Sequence, residues 1–264
     1  MDELSRIEPL ANIPALERLL RSARAVCVLT GAGVSQESGV PTFRGEDGLW
    51  KQFRAEDLAT PEAFRRNPLL VWEWYAWRRE IIHKAQPNAA HFALARLEAK
   101  LASSGGRFTL LTQNVDGLHE RSGSRNVVRL HGSIWIVRCA SCGTERLDES
   151  VPLDPFPPRC SCSAVLRPGV VWFGEALPED AWEKAARAAA SADLCLVVGT
   201  SALVQPAASL PLLAKRNGAR LVEINPDPTP LSPLADLLIA SKAAECLGRL
   251  SDEVLGVPLK VGAR

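Results

Sequence analysis

The sequence predicts an α/β fold, in which a parallel β-sheet carries helices on both faces and two inserts add a small lobe. Short apolar runs alternate with segments whose apolar residues recur at helical spacing, a pattern typical of a sheet buried on both sides. Two segments, 45–86 and 138–167, interrupt this alternation. The chain has 264 residues, which is long enough for one large domain with a small insert.

Five apolar runs are predicted to be strands, and three longer segments are predicted to be helices. The strands are Ala25–Thr30, Phe108–Thr112, Val127–Leu130, Leu194–Gly199 and Arg220–Ile224. The helices are Ile13–Ala23, Asn88–Ser103 and Pro178–Ala192. Gly105 and Gly106 suit the end of the second helix, and Glu179 and Asp180 suit the start of the third.

The two inserts have different compositions. Residues 45–86 are rich in Trp and are predicted to be helical, with no convincing strand. Residues 138–167 contain four Cys and four Pro and have little regular periodicity. We expect both inserts to form the small lobe, which leaves residues 1–44, 87–137 and 168–264 for a Rossmann-like domain.

Charge and hydropathy exclude several classes of partner. The net charge of +1 gives no bulk attraction to nucleic acid or to an anionic membrane, so we expect neither as a partner. Residues 1–11 mix acidic and basic side chains without an apolar core, unlike a signal peptide. No run of about 18 uncharged apolar residues indicates a membrane helix. We therefore expect a cytoplasmic protein, and we expect it to be a monomer.

A glycine-rich turn, Thr30–Ser35, follows the first strand. Its two glycines allow a sharp turn and the approach of a phosphate, and the following helix start would direct free N–H groups at a pyrophosphate. Gln36 stands where the dinucleotide fingerprint has its third glycine, so an ordinary turn closing an αβ unit remains an alternative. The polar loop that continues to Arg44 is typical of a lid, in which Phe43 and Arg44 would face a ring and a phosphate.

Four cysteines are spaced like metal ligands. Cys139 and Cys142 form C-x2-C, Cys160 and Cys162 form C-x-C, and 17 residues separate the pairs. This spacing indicates one zinc ion bound by four thiolates, a closed site whose role is structural because no position is left for water. Its expected function is to fold a lobe too small to bury its own core. A redox disulfide pair is the alternative.

Longer motifs give the sequence a specific resemblance. The segment GAGVSQESGVPTFRG, which begins at Gly31, resembles the first NAD-binding motif of the sirtuins. Four further segments resemble sirtuin motifs in the same order. Thr112–His119 resembles the TQN(I/V)DGLH segment, and Leu130–Ser133 resembles the catalytic His-Gly. Gly199–Ser201 resembles the third NAD motif, and Ile224–Pro226 resembles the segment with the ribose-binding Asn. The match extends from Val26 to Leu247, nearly the whole chain.

The resemblance implies a bacterial-type, class III protein-lysine deacylase that consumes NAD. In that reaction the acyl oxygen of a modified lysine joins C1′ of the nicotinamide ribose, nicotinamide leaves, and a base activates a ribose hydroxyl toward the acyl carbon. The products are nicotinamide and O-acyl-ADP-ribose. His131 is the implied base, since a neutral imidazole is available at physiological pH.

Further roles follow from the same resemblance. Asn114 and Asp116 are implied to position the nicotinamide amide and a water, although an Asx turn also explains N-x-D after a strand. The implied NAD contacts are Gly31, Ala32, Gly33, Ser35, Glu37, Thr42, Phe43, Arg44, Trp50, Gln113, Asn114, Val115, Asp116, Gly199, Thr200, Ser201, Asn225 and Ala243.

The helical insert contains a candidate acyl pocket. Tyr75 and Arg78 share a helix face at i and i+3, where a phenol and a guanidinium can bind a carboxylate. The pair resembles the Tyr-x-x-Arg signature of sirtuins that remove succinyl, malonyl or glutaryl groups, and it is compatible with deacetylation. The alternative is that the aromatic residues are core and the arginines are surface charges.

The segment Val171–Glu175 resembles the sirtuin strand that pairs with the substrate peptide, a mode that places little demand on peptide sequence. The implied peptide contacts are Val171, Phe173, Gly174 and Val204.

Three other functions are weighed against the deacylase. A protein ADP-ribosyltransferase would use the same NAD cleavage, but it would not need Tyr75 and Arg78. A non-catalytic nucleotide-binding or zinc-mediated interaction module would not need His131 or Asn114. A hydride-transferring dehydrogenase is disfavoured by the missing third glycine and the long lid.

Overall fold

The computed structural model describes residues 10–42, 49–50 and 53–256; for residues 49, 50 and 55 it describes the backbone only. Its strands are β1 (Ala25–Thr30), β2 (Leu49–Trp50), β3 (Phe53–Arg54), β4 (Arg107–Thr112), β5 (Val127–Arg129), β6 (Gly132–Cys139), β7 (Glu145–Leu147), β8 (Leu166–Val170), β9 (Leu194–Val198), β10 (Arg220–Ile224) and β11 (Leu237–Ile239). Its α-helices are α1 (Ile13–Ser22), α2 (Gly33–Gln36), α3 (Ala55–Leu58), α4 (Pro61–Arg66), α5 (Pro68–Lys84), α6 (Ala89–Ser103), α7 (Leu118–Arg121), α8 (Glu179–Ala190), α9 (Leu210–Arg216), α10 (Ala243–Leu247) and α11 (Asp252–Leu255).

Six parallel strands form the large sheet, in the order β11-β10-β9-β1-β4-β5. The five predicted strands are confirmed to within one residue at each end. The edge strand β11 is additional. From β1 the chain continues through β4 to β5 at one edge of the sheet, and it then returns to place β9, β10 and β11 on the other side of β1. This reversal of the strand order leaves a crevice beside β1.

Both faces of this sheet are covered, as the apolar strands predicted. All six residues of β1 are buried. Because successive side chains of a strand point to opposite faces, Val26 and Val28 pack against α1, α6, α10 and α11, whereas Cys27 and Leu29 pack against α8 and α9. The fold class is therefore confirmed as a Rossmann-like sheet with helices on both faces.

The small lobe has a separate hydrophobic core. It contains an antiparallel sheet with the order β7-β6-β8, the β2–β3 hairpin, and helices α3 to α5. Trp72, Trp74 and Tyr75 of α5 are almost completely buried in this core, together with residues of β6 and β8. The same core also contains Val40, Val115 and Leu118, which lie outside the two predicted inserts. The expectation that zinc folds this lobe remains a prediction. The hairpin is a correction to the purely helical prediction, whereas the exact domain boundaries remain a prediction.

Within the described part of the chain, no helix has both the length and the apolar character that crossing a membrane requires.

Candidate functional site

A cavity of about 500 Å³ opens where β1, β4, β9 and β10 end. This carboxyl edge, beside the reversal at β1, is where open α/β sheets bind ligands. The predicted NAD and substrate contacts that line it are Gly31, Ala32, Gly33, Thr42, Tyr75, Gln113, Asn114, Val115, His131, Val171, Phe173, Gly174, Gly199, Thr200, Ser201, Val204, Asn225 and Ala243. Residues far apart in the sequence thus meet in one crevice between the sheet and the small lobe.

His131 reaches this cavity from the short connection between β5 and β6. Its Nδ1 lies 3.1 Å from the carbonyl oxygen of Gln113. Since a carbonyl only accepts, Nδ1 carries the ring hydrogen and Nε2 keeps its electron pair. Burial lowers the pKa of His131 below its usual 6.5, and the bond to Gln113 raises it in part. The ring is therefore a neutral base at physiological pH.

The other described histidines have different surroundings. His91 and His119 are buried side by side, with ring centroids 4.8 Å apart. Burial lowers the pKa of His91 to about 4 and lowers that of His119 as well. His119 Nε2 lies 3.0 Å from Thr30 Oγ1, so this ring connects its loop to the end of β1.

Asn114 and Asp116 belong to one chain of hydrogen bonds. Asn114 Nδ2 donates to the carbonyl of Gly31 at 3.0 Å and to Ser35 Oγ at 3.2 Å. Ser35 Oγ donates to Asp116 Oδ2 at 2.8 Å, and Asp116 Oδ1 accepts from the N–H of Leu118 at 2.8 Å. Burial raises the pKa of Asp116, while these two hydrogen bonds lower it. Only Asn114 of the predicted pair lines the cavity; Asp116 lies behind it and forms the Asx turn that was the alternative.

The two glycines of the turn are required by a close approach of two loops. A Cβ on Gly31 would lie 2.6 Å from Thr200 Cβ, and one on Gly33 would lie 2.8 Å from the carbonyl oxygen of Gly199. The N–H groups of Gly33, Val34 and Ser35 are bonded to carbonyls of Gly199, Gly31 and Ala32. The expectation that they are free for a pyrophosphate is therefore wrong in this conformation.

Gln113 and Thr200 connect the loops that follow β4 and β9. Gln113 Nε2 donates to Thr200 Oγ1 at 3.0 Å. Asn225 Nδ2, after β10, donates to the carbonyl of Asp227 at 2.7 Å. These predicted NAD contacts are thus held at the cavity wall by hydrogen bonds between and within the strand-end loops.

Two other predicted NAD contacts that the structure describes, Ser35 and Glu37, do not line the cavity. Glu37 accepts a 2.7 Å hydrogen bond from the N–H of Ala244 at the start of α10, so its carboxylate holds a helix. Phe43 and Arg44 lie outside the described residues, and Trp50 is described only by its backbone in β2.

The acyl-pocket pair is divided between the cavity wall and the protein interior. Tyr75 lines the cavity, and its Oη accepts a 2.9 Å hydrogen bond from the indole N–H of Trp172. Arg78 is buried on the same helix without lining the cavity, and its guanidinium lies 5.4 Å from the Trp74 ring centroid. Burial makes Arg78 a core residue, contrary to the alternative in which the arginines are surface charges.

The segment after β8 is irregular rather than a strand, which corrects the expectation for Val171–Glu175. Its position is nevertheless fixed by backbone bonds. The N–H of Val171 donates to the carbonyl of His131 at 3.0 Å, and the N–H of Phe173 donates to that of Ala59 at 2.9 Å. Phe173 is 40% exposed and Leu203 is 52% exposed, so two apolar side chains lie open at the cavity.

Several lining residues were not predicted. Glu56 and Ala59 come from the helical insert, and Asp227 and Pro228 follow β10. Asp227 could have been found from its place two residues after Asn225, because polar residues at the carboxyl ends of parallel strands share one edge. Glu56 offered no such signal, since it lies in an insert whose position depends on tertiary packing.

The four cysteines converge as their spacing predicted. Their Sγ atoms all lie within 4.8 Å of one another, with Cys139 and Cys162 at 3.5 Å and Cys142 and Cys162 at 3.8 Å. Sulfurs bound tetrahedrally to zinc at about 2.3 Å are separated by about 3.8 Å. The N–H of Cys142 also donates to Cys139 Sγ. The donor set and geometry fit one structural zinc ion.

Comparison with protein families identifies one match. A family model described as the Sir2 family covers residues 31–206. An NAD-dependent protein deacylase of Thermus thermophilus is 56% identical over 232 residues, which are 88% of this chain and 91% of that protein. The NAD-dependent protein deacylase of Aquifex aeolicus is 54% identical over 228 residues, which are 86% of this chain and 94% of that protein.

Solved structures show the same similarity. The crystal structure of a Sir2 homologue in complex with NAD superposes with a TM-score of 0.85 and 52% identity, covering 91% of this chain and 93% of the other. A mutant Sir2 homologue in complex with 2′-O-acetyl ADP ribose has a TM-score of 0.85 and 50% identity, covering 98% and 100%.

Proposed function

The chain belongs to the Sir2 family, and from this membership we infer that it is an NAD-dependent protein deacylase. We propose further that its substrates are acylated lysines of proteins and that it prefers acyl groups with an acidic end. The products would be the free lysine, nicotinamide and O-acyl-ADP-ribose.

The tautomer of His131 carries the proposal. Its Nδ1–H is donated to the carbonyl of Gln113, so Nε2 is the nitrogen left to accept a proton. NAD supplies the ribose that receives the acyl group and the nicotinamide that leaves. His131 would accept the proton of a ribose hydroxyl at Nε2, and the lowered pKa of the ring keeps this nitrogen free at neutral pH.

The strand-end loops would bind the dinucleotide. Gln113 and Thr200 bond each other across the crevice, and both side chains have groups that can exchange this bond for ribose hydroxyls. Asn114 would orient the nicotinamide amide, and the Ser35–Asp116 pair behind it would hold its side chain in place. The crevice between two lobes would exclude water from the reacting atoms.

The preference for acidic acyl groups is supported by the position and chemistry of Tyr75. Its phenol lines the cavity, and burial raises its pKa to about 12, so it remains a hydrogen-bond donor at physiological pH. Arg78 lies one turn further along α5 and adds a positive charge beneath the same wall. A carboxylate at the far end of an acyl chain would be attracted by both groups.

The zinc ion would have a structural role. Cys139 ends β6, and the other three cysteines lie on the connections between β6, β7 and β8. Of these strands, β8 contributes Val170 to the cavity wall. Bound zinc would fix these connections, so that Val170 and Trp172 keep their positions at the cavity.

The test is an assay of purified protein with NAD and acetyl-, malonyl- or succinyl-lysine peptides, with nicotinamide and deacylated peptide measured by mass spectrometry. We expect turnover of all three peptides, with higher kcat/KM for the two acidic ones. His131→Ala should reduce turnover by about 10²- to 10⁴-fold, the usual contribution of a general base.

The control is His83→Ala, which removes an exposed imidazole at the end of α5 and should leave turnover unchanged. Recovery of intact NAD after incubation with substrate, or full activity of His131→Ala, would contradict the deacylase proposal. Higher kcat/KM on the acetyl peptide would contradict only the acyl preference.

A further inference from the structure

Trp172 makes a hydrogen bond that determines what the Tyr75 hydroxyl can do. The two side chains are each 3% exposed, and indole Nε1 lies 2.9 Å from Tyr75 Oη. An indole N–H only donates, so the phenol oxygen is the acceptor in this bond. The hydroxyl hydrogen of Tyr75 must then be given to a different acceptor.

The indole of Trp172 is itself held by two side-chain contacts. The Arg167 guanidinium lies 3.6 Å from its ring centroid, and the Phe64 ring lies 5.3 Å away. Arg167 donates to both carboxylate oxygens of Glu175, at 2.6 and 2.8 Å, and Glu175 also accepts from the backbone N–H of Trp172 at 2.9 Å. This closed set of contacts leaves the indole little freedom to turn.

The same set connects the acyl-pocket helix to the cavity wall. Tyr75 comes from α5, whereas Arg167, Trp172 and Glu175 come from β8 and the segment that follows it. Tyr75, Trp172 and Glu175 all line the cavity. The orientation of the phenol is therefore set by the element predicted to contact the peptide, not only by its own helix.

A fixed hydroxyl favours one kind of ligand. A phenol that already accepts from an indole is prepared to donate, and a carboxylate accepts without donating. Such a charge-assisted hydrogen bond is stronger than a neutral one, and an acetyl group has no corresponding oxygen at that depth. The geometry thus favours acyl groups whose far end is a carboxylate over an acetyl group.

We propose that Trp172 is a positioning residue for acyl specificity: its indole N–H holds the Tyr75 oxygen as an acceptor, so that the phenol donates its hydrogen to the carboxylate of an acidic acyl group. The Arg167–Glu175 pair keeps the indole in place. This inference rests on the proposed preference for acidic acyl groups.

The experiment compares wild type, Trp172→Phe, Tyr75→Phe and the double variant on succinyl- and acetyl-lysine peptides. Trp172→Phe keeps an aromatic ring next to Arg167 and Phe64 but removes the N–H. We expect the succinyl-to-acetyl ratio of kcat/KM to fall on the order of 3- to 10-fold, the value of one hydrogen bond. The loss should be in KM for the succinyl peptide, because the contact is remote from the reacting atoms.

The double variant decides whether Trp172 acts through Tyr75. If it does, Trp172→Phe adds no further loss in the Tyr75→Phe background. Glu175→Gln, which keeps the indole but weakens the pair that holds it, should lower the same ratio by a smaller factor. This second variant provides the test if Trp172→Phe does not fold, as judged by circular dichroism.

Additive losses in the double variant, or equal losses on both peptides in Trp172→Phe, would overturn the role of Trp172 while leaving the acyl preference intact. If Glu175→Gln must serve as the test, an unchanged ratio would overturn it too. A wild-type enzyme without preference for the succinyl peptide would overturn both.

Discussion

At the scale of single residues, the tautomer of His131 follows from one backbone contact. The Gln113 carbonyl lies immediately beside Asn114, so the loop after β4 both orients the His131 ring and carries an amide into the cavity. A displacement of this loop would affect the imidazole and the amide together. The placement of His131 at the carboxyl edge could be expected from the sequence, but its tautomer could not, because it depends on a carbonyl 18 residues away.

The lowered pKa of His131 has a consequence for the pH dependence of the reaction. Burial disfavours the charged ring, so the folded-state pKa lies below 6.5 and the neutral base is present at and above that pH. We expect kcat/KM to be maintained down to pH 6.5 and to fall only as the pH drops through the lowered pKa. An acid limb with its midpoint above 6.5, measured between pH 5 and 8, would contradict this assignment.

At the scale of secondary structure, the large sheet was the most predictable part of the molecule. Its strands are apolar throughout because both faces are covered, and β1 and β9 are buried at every residue. The short edge strand β11 and the strands β6 and β8 were not predicted. Residues of β6 are partly exposed and β8 contains Pro168 and Gly169, so neither has a simple apolar pattern.

The site was predicted less completely than the sheet, because part of it depends on contacts between segments that are distant in the sequence. Motif residues such as Gln113 and Thr200 follow strands directly, so their meeting at one edge is a consequence of the topology. The withdrawal of Asp116 from the cavity depends on the N–H of Leu118 and the hydroxyl of Ser35. The turn to Leu118 is the alternative that the local N-x-D pattern allowed, whereas the bond from Ser35 joins segments 81 residues apart and is not specified by local sequence pattern.

The glycine turn allows a test at the scale of this αβ unit. In Gly33→Ala, the added methyl would meet the Gly199 carbonyl at 2.8 Å, so two backbone segments must separate. We expect a destabilisation of about 1–3 kcal/mol, typical of overpacking, together with roughly tenfold weaker NAD binding by calorimetry, which equals about 1.4 kcal/mol.

The matched control is Gly105→Ala, at the opposite edge of the sheet. Gly105 has φ +73 with open space around its Cα, so the substitution should cost about 1 kcal/mol in backbone strain without changing NAD affinity. Equal NAD affinity in both variants would show that the contact of the turn with Gly199 does not shape the nucleotide site.

At the scale of the whole molecule, the hydrophobic cores of two lobes meet at one cavity. Two core clusters lie on opposite faces of the large sheet, and a third belongs to the small lobe. His131 and Gln113 come from the sheet side, whereas Tyr75 and Trp172 come from the lobe side. Under the proposed function, the dinucleotide and the acyl group would therefore be bound by different parts of the molecule.

Removal of zinc should destabilise the small lobe and leave the large sheet folded. We expect one zinc ion per chain by elemental analysis, and we expect Cys162→Ser to lose it, because a fourth thiolate closes the tetrahedron. The small lobe should then unfold at a lower temperature than the sheet, which tryptophan fluorescence can detect through Trp72 and Trp74.

The control for zinc removal is Cys246→Ala, a cysteine buried in the core of the large sheet, which should retain the metal. A zinc-free wild type whose cysteines resist thiol reagents until reduced would instead support the disulfide alternative.

The short segment after β8 is hydrogen-bonded at Val171 and at Phe173 to two different parts of the molecule. The amide of Val171 holds the carbonyl of His131, and the amide of Phe173 holds that of Ala59 in the helical insert. Under the proposed function, this segment could therefore not be lengthened to admit a bulkier acyl chain without also shifting His131. Selectivity and turnover should vary together in libraries with insertions here, whereas side-chain exchanges on α5 leave this backbone tether in place.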